Sequence, residues 1–163
     1  MKKNLKTIAA IMLFVVVFCI GACKKGEQGP QGNADVTMFT FENKTFTHLL
    51  NLEIPISKGR VDSSLISVYY NPSIESVSSW YTAPGIGSGG TYNTRVNLYQ
   101  EQGQNKYTLS IRTLTMAGAP YASPVTFTKI KVIFAPASNI TKLSNLNEIK
   151  KDYNLAAKEF NIK

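Results

Sequence analysis

From Asp35 to Phe134 the sequence consists of short runs rich in Thr, Val, Ile, Phe and Tyr, separated by Gly, Pro, Asn and Ser. Within several runs the apolar residues recur at every second position, the period of a strand with one buried face. The pattern predicts strands at Asp35–Glu42, Thr45–Ile54, Ser64–Tyr70, Ser76–Thr82, Tyr92–Tyr99, Lys106–Thr113 and Pro124–Phe134. Seven antiparallel strands at this spacing predict a mostly β chain folded as a single β-sandwich. Phe46, Leu50, Leu52 and Ile54 share one parity and are expected to face the core, with Asn51 and Glu53 facing out. In the last run the apolar parity shifts near Lys129, and a β-bulge there would account for the shift.

After residue 143 the period changes. Leu146, Ile149, Tyr153, Ala156 and Phe160 recur at steps of three and four, the spacing of one helical face. A single amphipathic helix over 144–163, packed on the sandwich, is the expected result. Asn145 and Glu148 have the spacing of a capping box at its start. Glu148, Asp152 and Glu159 interrupt Lys150, Lys151 and Lys158, so the polar face lacks the basic character of a membrane-surface helix.

The N-terminus has a third texture. Lys2, Lys3 and Lys6 precede a continuous apolar run from Ile8 to Ile20, the order of a secretory signal. That run is shorter than the roughly 20 residues that span a bilayer. It ends in Ile20-Gly21-Ala22-Cys23, which resembles the lipobox of bacterial lipoproteins: an aliphatic residue, two small ones, and the cysteine that takes lipid. On this reading 1–22 is a signal peptide, and Cys23 becomes the lipidated first residue of the mature chain. Lys24 stands where an Asp would favour inner-membrane retention, so an outer-membrane location is expected, periplasmic or surface-exposed. Three Gly-X-Y triplets follow within 23–34, from Gly26 to Ala34. Three are too few for a collagen trimer, and a polar, extended tether is expected. The remainder divides into a sandwich domain over 35–143 and the helix over 144–163.

This processing removes much of the chemistry open to the domain. Cys19 leaves with the signal and Cys23 is consumed by lipid, so disulfides, thiolate metal sites and cysteine catalysis are excluded from what remains. Three of the 18 basic residues lie in the signal and all ten acidic residues lie beyond it, which leaves a mature balance of +5. This modest charge is scattered and accompanies no nucleic-acid motif. His48 is the one histidine, and its parity with Phe46 and Leu50 predicts a structural place. No serine sits in a Gly-x-Ser-x-Gly elbow. No catalytic residue, metal or cofactor is expected, apart from the covalent lipid on Cys23, and the domain is expected to be monomeric.

The glycine-rich segment Gly85-Ile86-Gly87-Ser88-Gly89-Gly90 lacks the Lys-Ser/Thr pair of a phosphate loop and is expected to be a flexible connection. Around it in sequence lie Tyr69, Tyr70, Trp80, Tyr81 and Tyr92, which could form the core or a stacking surface for a ligand. The lipobox, the Gly-X-Y stretch ending in Gly32-Asn33-Ala34-Asp35-Val36, the Trp80-Tyr81-Thr82-Ala83-Pro84 segment and the Lys129-Ile130-Lys131-Val132-Ile133-Phe134 strand together resemble a group of uncharacterised Gram-negative envelope lipoproteins. The resemblance implies a β-rich envelope domain and brings no catalytic residues. The expected role is non-catalytic: binding or structure towards an envelope protein or polymer, with membrane contact through the lipid. A glycan-binding module using the aromatic set is the alternative. A hydrolase with dispersed carboxylates is a third reading, since such residues come from distant strands.

Cys23→Ser is expected to abolish incorporation of labelled palmitate in growing cells. A variant that still takes up label would remove the lipobox reading.

Overall fold

A computed structural model describes residues 35–77, 79–140 and 145–162. The signal, the lipobox residues Ile20, Gly21 and Ala22, Cys23 and the Gly-X-Y tether lie outside the described residues. Residues 33–163 form a compact unit of their own. Its strands are β1 (Thr37–Phe46), β2 (Leu49–Ile54), β3 (Ser64–Pro72), β4 (Tyr81–Ala83), β5 (Gly85–Ile86), β6 (Asn93–Tyr99), β7 (Tyr107–Leu114) and β8 (Val125–Pro136). The helices are α1 (Lys58–Asp62), α2 (Ala137–Ile140), α3 (Leu146–Ile149) and α4 (Tyr153–Glu159). The strands form two antiparallel four-stranded sheets, in the orders β1-β8-β3-β4 and β2-β7-β6-β5. The chain is thus a mostly β sandwich with short helices at its C-terminus.

The expected inward parity holds in β2, where Leu52 and Ile54 are buried while Asn51 and Glu53 are exposed. The expected strand Thr45–Ile54, however, contains a corner. Phe46 ends β1 in one sheet and Leu49 opens β2 in the other, with Leu49 N donating to Thr47 O at 2.8 Å and His48 at φ 67°. No Gly or Pro marks this reversal. Asn43, where a break between strands is expected, instead lies inside β1 with φ 50°.

Ser76–Thr82 also departs from expectation. Regular pairing is confined to Tyr81–Ala83, because Asn71 Nδ2 draws the preceding segment into turns by donating to Ser76 O at 2.9 Å and Ser79 O at 2.6 Å. The bulge in β8 is present. Asn71 pairs Lys129 and Pro72 pairs Phe127, which leaves Thr128 as the extra residue against β3. Phe127 and Ile130 therefore both point between the sheets, three positions apart.

The core between the sheets centres on Phe127, which stacks on Tyr70 at 4.2 Å and meets Phe46 edge-on at 5.2 Å. Leu109 and Ile111 of β7 close it from the other side. A second apolar cluster lies on the outer face of the β1-β8-β3-β4 sheet. There Ile149, Tyr153, Ala156 and Phe160 cover Tyr69, Ile133 and Ala135. The helical stripe thus meets the sheet as expected, but the expected single helix is broken in two. Asp152 adopts an extended backbone (φ −127°, ψ 113°), and its carboxylate accepts from Asn154 N at 2.8 Å and Leu155 N at 3.3 Å, so it starts a new helix. Asn145 makes no side-chain capping bond, and the expected capping box is not formed. Helices of four and seven residues have little stability of their own, so packing on the sheet must hold them.

Phe127→Ala is expected to lower the unfolding free energy by about 3–5 kcal/mol, and Asp152→Ala by about 1 kcal/mol. Urea unfolding should show both as shifts of midpoint at constant slope. An Asp152 variant as damaging as the Phe127 variant would contradict this division between core and cap.

Candidate functional site

The five candidate aromatic residues do not share a surface. Tyr69 and Tyr70 are neighbours on β3, so they point to opposite faces of the sheet, and both are fully buried. Tyr69 belongs to the cluster under the C-terminal helices, with its hydroxyl donating to Ile149 O at 2.7 Å. Tyr70 and Tyr92 belong to the core between the sheets. Trp80 packs on Tyr153 at 4.3 Å on the outer side, and Lys131 Nζ lies 5.5 Å from its ring centre. Tyr81 turns inward to stack on Tyr70 at 5.8 Å, while its hydroxyl donates to Glu75 at 2.9 Å. Of the two alternatives, the core is where Tyr69, Tyr70 and Tyr92 lie, and strand alternation divides the set between two hydrophobic clusters, with Trp80 and Tyr81 half-buried at their margins, so the five do not share one stacking platform.

The glycine-rich segment is more ordered than a flexible connection. Gly85 and Ile86 pair with β6, and Gly87 is pressed against two rings. A Cβ at Gly87 would lie 2.2 Å from Tyr92 Cε2 and 2.7 Å from Tyr70 Oη, so a side chain cannot be added without displacing the core. Ser88 Oγ donates to Glu75 at 2.6 Å. Together with the Tyr81 hydroxyl it holds the Glu75 carboxyl below its ordinary value. Burial pushes Tyr69 and Tyr92 up to about 12, and Tyr70 higher still.

His48 sits in the corner between β1 and β2, with Nδ1 3.2 Å from Thr113 O. It braces that corner to the end of β7. Among the described residues, no three His, Cys, Asp or Glu side chains are gathered as metal ligands.

What the fold does assemble is a polar groove on the outer face of the β2-β7-β6-β5 sheet. Three rows of residues cross β2, β7 and β6 in register: Leu49, Arg112 and Arg95; Asn51, Ser110 and Asn97; Glu53, Thr108 and Tyr99. The first two rows and Tyr99 line an open hollow of about 490 Å³. Asn51 and Tyr99 also line a second hollow of about 350 Å³, whose wall includes Glu53 and Glu101. Lys106 donates to Glu53. Ser110 Oγ donates to Asn51 Oδ1, which fixes one amide at the centre. The result is a strip with guanidinium groups at one end, amides and hydroxyls in the middle, and carboxylates at the other.

Sequence reasoning assigns Asn51 and Glu53 outward but does not gather these residues into a site. The signal was available in Asn51-x-Glu53, Arg95-x-Asn97-x-Tyr99 and Ser110-x-Arg112, where polar residues hold one parity. Missing was the strand register, which alone brings the three runs side by side. No protein-family model matches this chain, and no curated protein or solved structure does either.

The buried tyrosines give the fold an alkaline limit. Below pH 10, the ordinary tyrosine value, folded and unfolded chains both keep these phenolic protons. Between pH 10 and about 12 the unfolded chain releases them while the folded chain does not, so stability falls across that window. Tyrosinate absorbance should show a late phase that coincides with loss of the β signal. Ionisation of all eight tyrosines near pH 10 with the fold intact would contradict the assignment.

Proposed function

We propose that this chain is a lipid-anchored envelope protein whose sandwich binds an envelope glycan, without catalysis, along the outer face of the β2-β7-β6-β5 sheet. The export signal and the Ile20-Gly21-Ala22-Cys23 lipobox support the anchor, and Lys24 supports the outer membrane.

The observation that carries the binding reading is the row Asn51, Ser110 and Asn97 across three adjacent strands. Sugar hydroxyls both donate and accept, and amide and hydroxyl side chains meet them in both senses. Mounted on paired strands, these groups are ordered before the ligand arrives, which lowers the entropic cost of binding. Tyr99 adds an aromatic ring at the same strip. A protein partner would call for an apolar or aromatic centre within a polar rim. Here the centre is amide and hydroxyl, and Leu49 lies at one end of the strip. The polar strip, rather than the aromatic set divided between the two clusters, is therefore the recognition surface.

In a glycan array probed with the full-length protein in detergent, Asn51→Ala combined with Asn97→Ala is expected to weaken binding at least tenfold, with the circular dichroism spectrum unchanged. Undiminished binding by the double variant would remove this face as the site. Capture of an envelope protein in place of any glycan would turn the reading towards a protein partner.

A further inference from the structure

Arg95 and Arg112 are paired directly across β6 and β7 on the exposed face of the sheet. Side chains opposed in this way on an antiparallel pair have Cβ atoms only about 4.5–5.5 Å apart, and like charges there are unfavourable. Among the described residues neither guanidinium has a hydrogen-bond or ion-pair partner. Lys106 is matched to Glu53 and Lys129 to Glu42 elsewhere on the two sheets, so what sets the arginines apart is that two cations are directly opposed with no anion between them. A repulsive pair kept at the head of a groove suits a negative group that would sit between the two cations. We infer that Arg95 and Arg112 form an oxyanion subsite and that the glycan bound in the groove carries carboxylates. This rests on the glycan reading above.

The rest of the groove restricts how that ligand carries its charge. A planar carboxylate matches the guanidinium fork, so two arginines can hold it by parallel N–H···O bonds. Next come Asn51, Ser110 and Asn97, which suit neutral sugar hydroxyls. Beyond Tyr99 the groove is walled by Glu53, whose charge Lys106 compensates, and by Glu101, which has no such partner among the described residues and repels a further negative group. A polymer with an acid on every unit would set one charge against the arginines and a later one against Glu101. A polymer that alternates acidic and neutral sugars places its charge where the cations are and its hydroxyls where the amides are. The ligand class is thus an acidic polysaccharide of intermediate charge density, rather than a dense polyanion or an acidic peptide.

The test titrates the full-length protein in neutral detergent with four probes. They are an alternating glucuronate–N-acetylglucosamine polymer, the same polymer with its carboxyls reduced to alcohols, polygalacturonate, and poly-L-glutamate. The alternating polymer should bind tightest, and reduction of its carboxyls should cost tenfold or more. Arg95→Gln combined with Arg112→Gln should cause a similar loss for the acidic polymer, little change for the reduced one, and a weaker dependence on salt. The same double variant should melt no lower than the parent, since it relieves a like-charge pair; a collapse of its melting temperature would assign the arginines a structural role and overturn the subsite. Equal binding of acidic and reduced polymers, by parent and variant alike, would overturn the subsite while leaving the glycan reading in place. Binding of none of the polysaccharides would overturn both. Tightest binding of polygalacturonate would overturn the charge-density argument, and tightest binding of poly-L-glutamate would replace the glycan with an acidic protein.

Discussion

Burial of both faces of β8 from Val132 to Pro136 is the constraint on which the rest of this structure depends. Ile130, Val132 and Phe134 point between the sheets, while Ile133 and Ala135 point the other way, under the C-terminal helices. A strand buried on both sides must be nearly continuous in apolar residues, and it cannot sit at an edge exposed to water. The fold meets this by placing β8 inside its sheet, between β1 and β3, and by bringing the end of the chain back over the outer face. The extra residue Thr128 sets the phase of the arrangement. Without it Phe127 would turn out of the core that it shares with Tyr70 and Phe46.

This explains why the two sheets end in different conditions. One is covered on its outer side by helices too short to stand alone, held through Tyr69, Ile133 and the residues packed on them. The other keeps its outer side open and polar, with two arginines directly opposed. Opposed like charges cost stability wherever a neutral pair would serve, and a sandwich with no disulfide has little margin to concede. The open face is where binding chemistry can be placed without touching either apolar cluster.

Much of this architecture was legible in the sequence. Alternation in Leu50–Ile54 and Tyr107–Ile111 set the buried faces, the parity shift near Lys129 marked the bulge, and the steps from Ile149 to Phe160 marked a stripe that packs on the sheet. The features that escaped depend on tertiary context. The Thr47–His48 corner has no Gly or Pro to announce it, and the interruption at Asp152 arises because a carboxylate that can cap also competes with helix continuation. The groove escaped for a different reason. Period-two patterning tells which residues share a side of one strand, but the neighbour of each strand, and the residue opposite each arginine, are decided by long-range pairing. The aromatic set misled because nearness in sequence, as with Tyr69 and Tyr70, means opposite sides of a sheet.

The corner at Thr47–His48 has a counterpart at Pro84. The first joins β1 to β2 and the second joins β4 to β5, and these four strands are the outermost members of the two sheets. Each margin of one sheet therefore passes by continuous backbone into the corresponding margin of the other, so the sandwich is laced along both seams. Open strand margins are where neighbouring copies can zip together, a hazard that grows with local concentration. Lacing at both seams interrupts the stretch of free backbone on offer to a neighbour, a useful property under the proposed lipid anchoring, which would confine copies of the domain to a two-dimensional surface.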